Sequence, residues 1–430
     1  MSKTARRIGA RIVATNAAVR MRAMSWLLLA LLLAAPPPED ALEQAAAALQ
    51  REDYQTAAPL LEGVLAEHPE QANLQFQLAF AYTRLERPAE AIERYEKAVE
   101  LDPKMAPARL NLALLLLEAD RPAGAAQQLQ AVIELRPDDP QALYFLGHAE
   151  RRLDRPAEAV PFLEKALALD PQPHVRLELG QALMALERWD GAAEQFREAA
   201  TQLPEAASYQ LELAERVEQA GDREKALGLY QAYAASQPDP EPALLEKIGF
   251  LLLDLDRAEE AIAPLEQVVA KSPSSANRAA LSQAYSLAKK TEEALAQLAA
   301  AAAAAPDDVD LTMRYANALL AQQRFEQAGP LYLRASKLDP RRVEAYNGLA
   351  FCWYQLEQYP AALQALAESA KLAPESEGNL FLKAIMQDKL HLYELAEASY
   401  KAFLASGSAS EDRVWQATQR LKLVERMANK

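Results

Sequence analysis

The chain has a single cysteine in 430 residues, Cys352, so it forms no intramolecular disulfide and no multi-cysteine metal site. That cysteine lies in the apolar run Leu349-Ala350-Phe351-Cys352-Trp353, which predicts a buried, unreactive thiol. Histidine is almost as scarce. His68, His148, His174 and His391 form no HExxH motif, and none has a second histidine at ligand spacing. The 13 glycines are scattered singly, which excludes a glycine-rich phosphate loop. Positive charge is short as well. The formal charge is −15, yet Lys3, Arg6, Arg7, Arg11, Arg20 and Arg22 all fall in a leading segment that has no acid. The remainder sets 40 basic residues against 61 acidic ones, the opposite of the field that attracts a phosphate polymer. Nucleic acid is excluded as a partner on that ground.

What the chain does have is alanine, leucine and long polar residues, a set that favours helix and disfavours strand. The fold class is therefore all-α. Its organisation is a repeat. Residues 87–103 read RPAEAIERYEKAVELDP, residues 121–137 RPAGAAQQLQAVIELRP and residues 155–171 RPAEAVPFLEKALALDP. Alanine recurs at 57, 91, 125, 159, 192, 226, 261, 294, 328, 362 and 396. Proline follows each of the first ten at 69, 103, 137, 171, 204, 238, 273, 306, 340 and 374. A fixed period of this size marks a stacked array of small units.

Each unit reads as two short helices. In 88–101, Pro88 suits a first helical turn, and Ala91, Tyr95 and Ala98 form one apolar stripe. Pro103 then stops the helix. The preceding helix, Ala72–Arg84, buries Leu78, Ala79 and Tyr82. Gly147, Gly180 and Gly249 take the place of Ala79 in later units, at a cost to the helix of about 1 kcal/mol each relative to alanine. Recurring at one register, they point to close helix–helix approach.

Leu78, Ala79, Tyr82, Ala91, Tyr95, Ala98 and Pro103 together resemble the signature of the tetratricopeptide repeat family. Leu177, Gly180, Ala192, Phe196, Ala199 and Pro204 match it well, as do Tyr315, Ala316, Ala328, Tyr332, Ala335 and Pro340. Ser282, Ser369 and Ser408 depart from it, and the first unit is the poorest match. The resemblance covers residues 38–409. It implies a right-handed superhelical solenoid of about eleven helix-turn-helix units over 36–409, with a concave surface that binds peptide segments of other proteins. The last stretch, Glu411–Asn429, carries Val414, Trp415, Leu421, Val424 and Met427 and reads as a capping helix within 410–430. The alanine run 299–305 predicts a thin, close-packed second helix or a soft point in the array.

The surface expected to bind is the inner face of the first helices. The residues just outside the buried stripe are Phe76 and Phe80, Leu110 and Leu114, Tyr144 and His148, then Leu177. Further on come Phe250, Phe351 and Tyr354, then Phe381 and Ile385. Packing between neighbouring first helices is the alternative use of the same residues. Some family members grip a terminal carboxylate with lysines and asparagines. Asn73 and Asn111 are present, but Phe76 and Leu110 stand where lysine is needed, so that mode is not implied. Acids such as Glu212, Glu215 and Glu218 favour a partner with basic flanks.

The segment Met21–Ala35 places Arg22 ahead of a short apolar run, too short to span a membrane and right for an export signal. Residues 1–35 are expected to be a signal peptide or a short membrane anchor, which makes the protein exported, periplasmic or envelope-bound. No cofactor or metal is expected, and the repeats leave no residues for a catalytic domain. The first expected function is a non-catalytic scaffold for protein partners. The second is an accessory of envelope or polysaccharide assembly that contacts glycan or lipid-linked material.

Overall fold

A computed structural model describes residues 39–407 and 410–428; the leading segment 1–35, Ser408 and Asn429 lie outside the described residues. Among them are twenty-three α-helices, one short 3-10 turn at Pro204–Ala206, and no strand. Up to α22, odd-numbered helices are the first helices of the units and even-numbered ones the second. They are α1 Glu39–Gln50, α2 Tyr54–Glu67, α3 Ala72–Arg84, α4 Pro88–Leu101, α5 Ala106–Glu118 and α6 Pro122–Leu135. Next come α7 Pro140–Arg152, α8 Pro156–Leu169, α9 Pro173–Ala185, α10 Trp189–Ala200, α11 Ala207–Gln219 and α12 Arg223–Ser236. Then follow α13 Pro242–Asp254, α14 Ala258–Lys271, α15 Ser275–Leu287, α16 Thr291–Ala304, α17 Val309–Ala321 and α18 Phe325–Leu338. The last are α19 Val343–Gln355, α20 Tyr359–Leu372, α21 Glu377–Lys389, α22 Tyr393–Ala405 and α23 Glu411–Ala428.

One unbroken array is what the repeat predicts, but packing divides the chain into two compact units, with the division between Tyr233 and Ala234 inside α12. In the first unit α1/α2, α3/α4, α5/α6, α7/α8 and α9/α10 are hairpins, and each second helix packs on the next first helix. The second unit stacks α13/α14 through α21/α22 in the same manner and ends with α23 against α22. Within each unit this is a solenoid of paired helices, the all-α class expected from the repeat.

The repeat residues explain the stacking. Ala91, Tyr95 and Ala98 are all fully buried, so the second helix gives its whole apolar stripe to its neighbours. Where a first helix carries glycine, the approach is too close for a side chain. A methyl group at Gly180 would lie 2.5 Å from the Phe196 ring, and one at Gly348 would lie 2.4 Å from the Tyr332 ring. Between hairpins, Tyr82 donates to Glu62 and Tyr285 to Glu266, each from a first helix to the preceding second helix. Burial, reinforced by the neighbouring carboxylate, pushes both hydroxyls up to about 12. The alanine run forms the end of α16, with Ala301 and Ala302 buried, so it is a close-packed helix.

Every hairpin turn but the one at Gly221 has a feature the sequence does not announce. Arg87 N–H donates to Tyr82 O, Arg121 to Leu116 O, Lys290 to Tyr285 O and Gln358 to Trp353 O, the six-to-one bond of a Schellman cap. The residue before each donor is left-handed: Glu86 (φ 57°), Asp120 (φ 57°), Lys289 (φ 61°) and Glu357 (φ 58°). Glycine normally fills this place because a Cβ raises the energy there. Glu86→Gly and Glu357→Gly should therefore each stabilise the fold by about 0.5 kcal/mol, since relieved strain exceeds the added chain entropy. A rise in the urea midpoint of each variant checks it; a fall means the turns are not strained.

Candidate functional site

The inner-face residues divide sharply between the two units. In the first unit Phe76, Phe80, Leu110, Leu114, Tyr144 and Leu177 are all buried, none more than 5 % exposed. The structure thus corrects the expectation that they form an open surface. Phe76 and Phe80 are covered by rings on the flanking second helices α4 and α2, and Tyr144 by the next first helix, α9. Phe76 meets Tyr95 edge-on at 5.7 Å, Phe80 meets Tyr54 at 5.9 Å, and Tyr144 meets His174 at 4.8 Å. Asn111 is also occupied internally, donating to the Tyr95 hydroxyl at 3.1 Å.

His148 reaches a polar site whose partner nothing in the repeat pattern announces. Glu178, on α9, is a buried carboxylate between the first helices of two successive units. His148 Nδ1 lies 2.8 Å from Glu178 Oε1, and Arg151 Nε donates to Oε2 at 2.6 Å. An ionised carboxylate can only accept, so Nδ1 carries the hydrogen. Burial pushes the Glu178 carboxyl up, but the charges of His148 and Arg151 and their hydrogen bonds outweigh it. The group is held well below the usual carboxylate range. This is a structural clamp between α7 and α9. Among the described residues no group of three or more His, Cys, Asp or Glu is placed to hold a metal ion.

In the second unit the same register is open. Phe250 on α13 is 42 % exposed, and Phe351, Tyr354, Phe381 and Ile385 are half-buried. The reason lies one repeat on. Beside Phe250, α15 presents Ala276, Ala279 and Ala280, which are too small to cover its ring, and Gln283 stands at the ring's own register. The space left is a cavity of about 360 Å³ across α13, α15 and α17, walled by Phe250 and Leu311 and rimmed by Gln283, Asp310 and Arg314. A polar residue at the aromatic's own register, next to a cluster of alanines, was the legible signal for this opening.

A second cavity, of about 520 Å³, lies between α21, α22 and α23 and is lined by Phe381, Ile385, Tyr400, Trp415 and Leu423. Its polar edge holds Asp388, which accepts from Arg420 Nη2 at 3.0 Å and from the Tyr400 hydroxyl at 3.4 Å. The expectation for the last helix needs correction here. Only Ala417 and Val424 of α23 are buried, with Leu421 partly so, while Trp415 and Met427 face outward. An 18-residue helix lying on one neighbour can bury a single stripe, and the residues off that stripe stay wet. Cys352 is fully buried and its thiol is pushed up to about 11 by burial. At neutral pH it is not a thiolate, in keeping with an inert core thiol.

Comparison with known proteins agrees with this architecture. Models of the tetratricopeptide repeat match residues 48–93, 82–148, 140–173, 171–339 and 313–377. The chain belongs to the tetratricopeptide repeat family. It is 25 % identical over 237 residues to the TPR repeat-containing protein YpiA of Bacillus subtilis (strain 168), covering 54 % of this chain and 56 % of that protein. The chain thus spans about half the length of the curated relative it matches. Similar solved structures include MamA, at 24 % identity over 39 % of this chain and 93 % of the other, with a TM-score of 0.36. YrrB, described as a TPR protein with an unusual peptide-binding site, is 22 % identical over 46 % and 97 %, with a TM-score of 0.37. Pseudomonas aeruginosa PilF is 24 % identical over 50 % and 96 %, with a TM-score of 0.35.

Proposed function

We propose that this protein is a non-catalytic scaffold that holds an apolar peptide segment of a partner protein against the first helices of its second unit. The observation that carries the proposal is the uncovered Phe250 ring beside Ala276, Ala279 and Ala280. An aromatic wall over a floor of small side chains accepts an inserted apolar side chain. The rim groups Gln283 and Arg314 can hydrogen-bond a peptide backbone.

A basic flank on the partner finds little support at this cavity. Asp308 caps α17 by accepting from Leu311 N–H, and Asp310 already pairs with Arg342 at 2.9 Å. In the first unit Glu218 accepts from Tyr230, and Glu212 pairs with Arg216. The recognition proposed here is therefore mainly apolar. Export through residues 1–35 is part of the same proposal, and the partner would then be met in the cell envelope; a reporter fused after residue 38 that stays in the cytoplasm would remove that part.

Affinity tests the cavity. A partner recovered with the tagged chain from envelope extracts should bind the Phe250→Ser variant about tenfold more weakly. Ala276→Leu, at an exposed position that points to the cavity, should weaken it similarly by filling the space, with circular dichroism unchanged in both. Unchanged affinity in both variants refutes the site. Recovery of glycan or lipid-linked material without protein refutes the scaffold reading itself.

A further inference from the structure

α23 carries an apolar face that the rest of the second unit leaves uncovered. Ala417, Leu421 and Val424 turn toward its neighbours. On the roughly opposite side Trp415, Gln419, Leu423 and Met427 follow at four-residue steps, one ridge of a helix. Trp415 is 65 % exposed, Leu423 47 % and Met427 50 %. An open indole with two aliphatic neighbours on one ridge is an exposed apolar patch of the kind that marks an interaction surface.

The charges on this ridge indicate what covers it. Asp412 and Arg426 are both exposed and lie on the same side as Trp415 and Leu423. Among the described residues neither has an ion-pair partner, whereas the adjacent Arg413 and Glu425 pair with Glu377 and Lys401. Reversed about Gln419, the ridge maps onto itself: Asp412 exchanges with Arg426, and Trp415 with Leu423. An acidic or a basic partner of another kind would satisfy only one end. A second α23 laid antiparallel satisfies both ends and covers both indoles.

We propose that α23 pairs with α23 of a second copy, antiparallel about a two-fold axis at Gln419. The contact is isologous, with Asp412 of each copy facing Arg426 of the other and each Trp415 lying against the other's Leu423. Trp415 and Leu423 both edge the cavity of about 520 Å³ between α21 and α23, so the pairing also covers its mouth beside Phe381 and Ile385. Those contacts extend an interface whose helix–helix part alone is only about 27 Å long.

Sedimentation velocity of the full chain between about 1 and 100 μM tests this, the range in which a pairing of modest area dissociates. A concentration-dependent dimer is expected. Asp412→Arg alone and Arg426→Asp alone should each weaken it about tenfold by placing like charges opposite each other. The double variant should return to within about threefold of the original. Trp415→Ser should leave a monomer across the range. All three positions are exposed, so the helical circular dichroism should not change. Gln419→Cys should cross-link two copies under oxidising conditions, because Cys352 is buried and does not compete. A monomer at every concentration, a dimer that survives Trp415→Ser, or a double charge swap that does not restore pairing overturns the proposal.

Discussion

Replacing Tyr95 with alanine should destabilise the first unit by about 3–5 kcal/mol. The ring is wholly buried between α3, α4 and α5, in edge contact with Phe76, and removing it leaves a cavity that helices on either side cannot close. The loss has a second part. Asn111 is 3 % exposed and donates to the Tyr95 hydroxyl, so truncation also strands a buried amide, a penalty of about 1–3 kcal/mol in itself. Tyr95→Phe separates the two parts: it keeps the packing and should cost about 1 kcal/mol, the bond alone. Chemical denaturation of the three proteins checks this. A shift below 1 kcal/mol for Tyr95→Ala means that the ring is not the wedge between repeats. By the same reasoning Phe76→Ser and Phe80→Ser should lower stability, since both rings are buried.

The Glu178 clamp carries the other large effect. Glu178→Ala should cost about 3–5 kcal/mol, because it leaves the Arg151 guanidinium and the His148 ring without their shared acceptor. Replacing both partners by apolar residues, Arg151→Met with Glu178→Leu, should recover most of that loss, since an uncompensated buried charge is the main penalty. The pH dependence has a definite sign. The folded carboxyl is held below its unfolded value of about 4.3, so its contribution is complete above that pH and fades as pH falls below it. Glu178→Gln should be less stable at neutral pH and should flatten this part of the acid transition. An acid transition unchanged by Glu178→Gln contradicts the clamp.

The helix boundaries at Ala72–Arg84 and Pro88–Leu101 were readable because proline, alanine and the aromatic recur in fixed places within every unit. Tight contact at Gly147, Gly180 and Gly249 was readable for the same reason, since a costly residue repeated at one register needs a steric cause. The candidate site was readable only in part. A large apolar residue at the inner register looks the same in sequence at Phe76 and at Phe250. Its exposure depends on the residue facing it one repeat away. Glu178 gave no sign either, because a glutamate on a helix ordinarily reads as solvated, and its burial follows from the His148 and Arg151 side chains brought over it by α7. The left-handed turns at Glu86 and Glu357 were hidden because no glycine marks them.

By itself the sequence determined the class, the period and the interior of each hairpin, because these depend on spacings within about 34 residues of chain. Tertiary structure decided which inner-face aromatics are covered, which carboxylate is buried and which side of α23 stays open. Those outcomes are set by pairs of residues on neighbouring helices, and a pair's contact belongs to neither residue's own stretch of sequence.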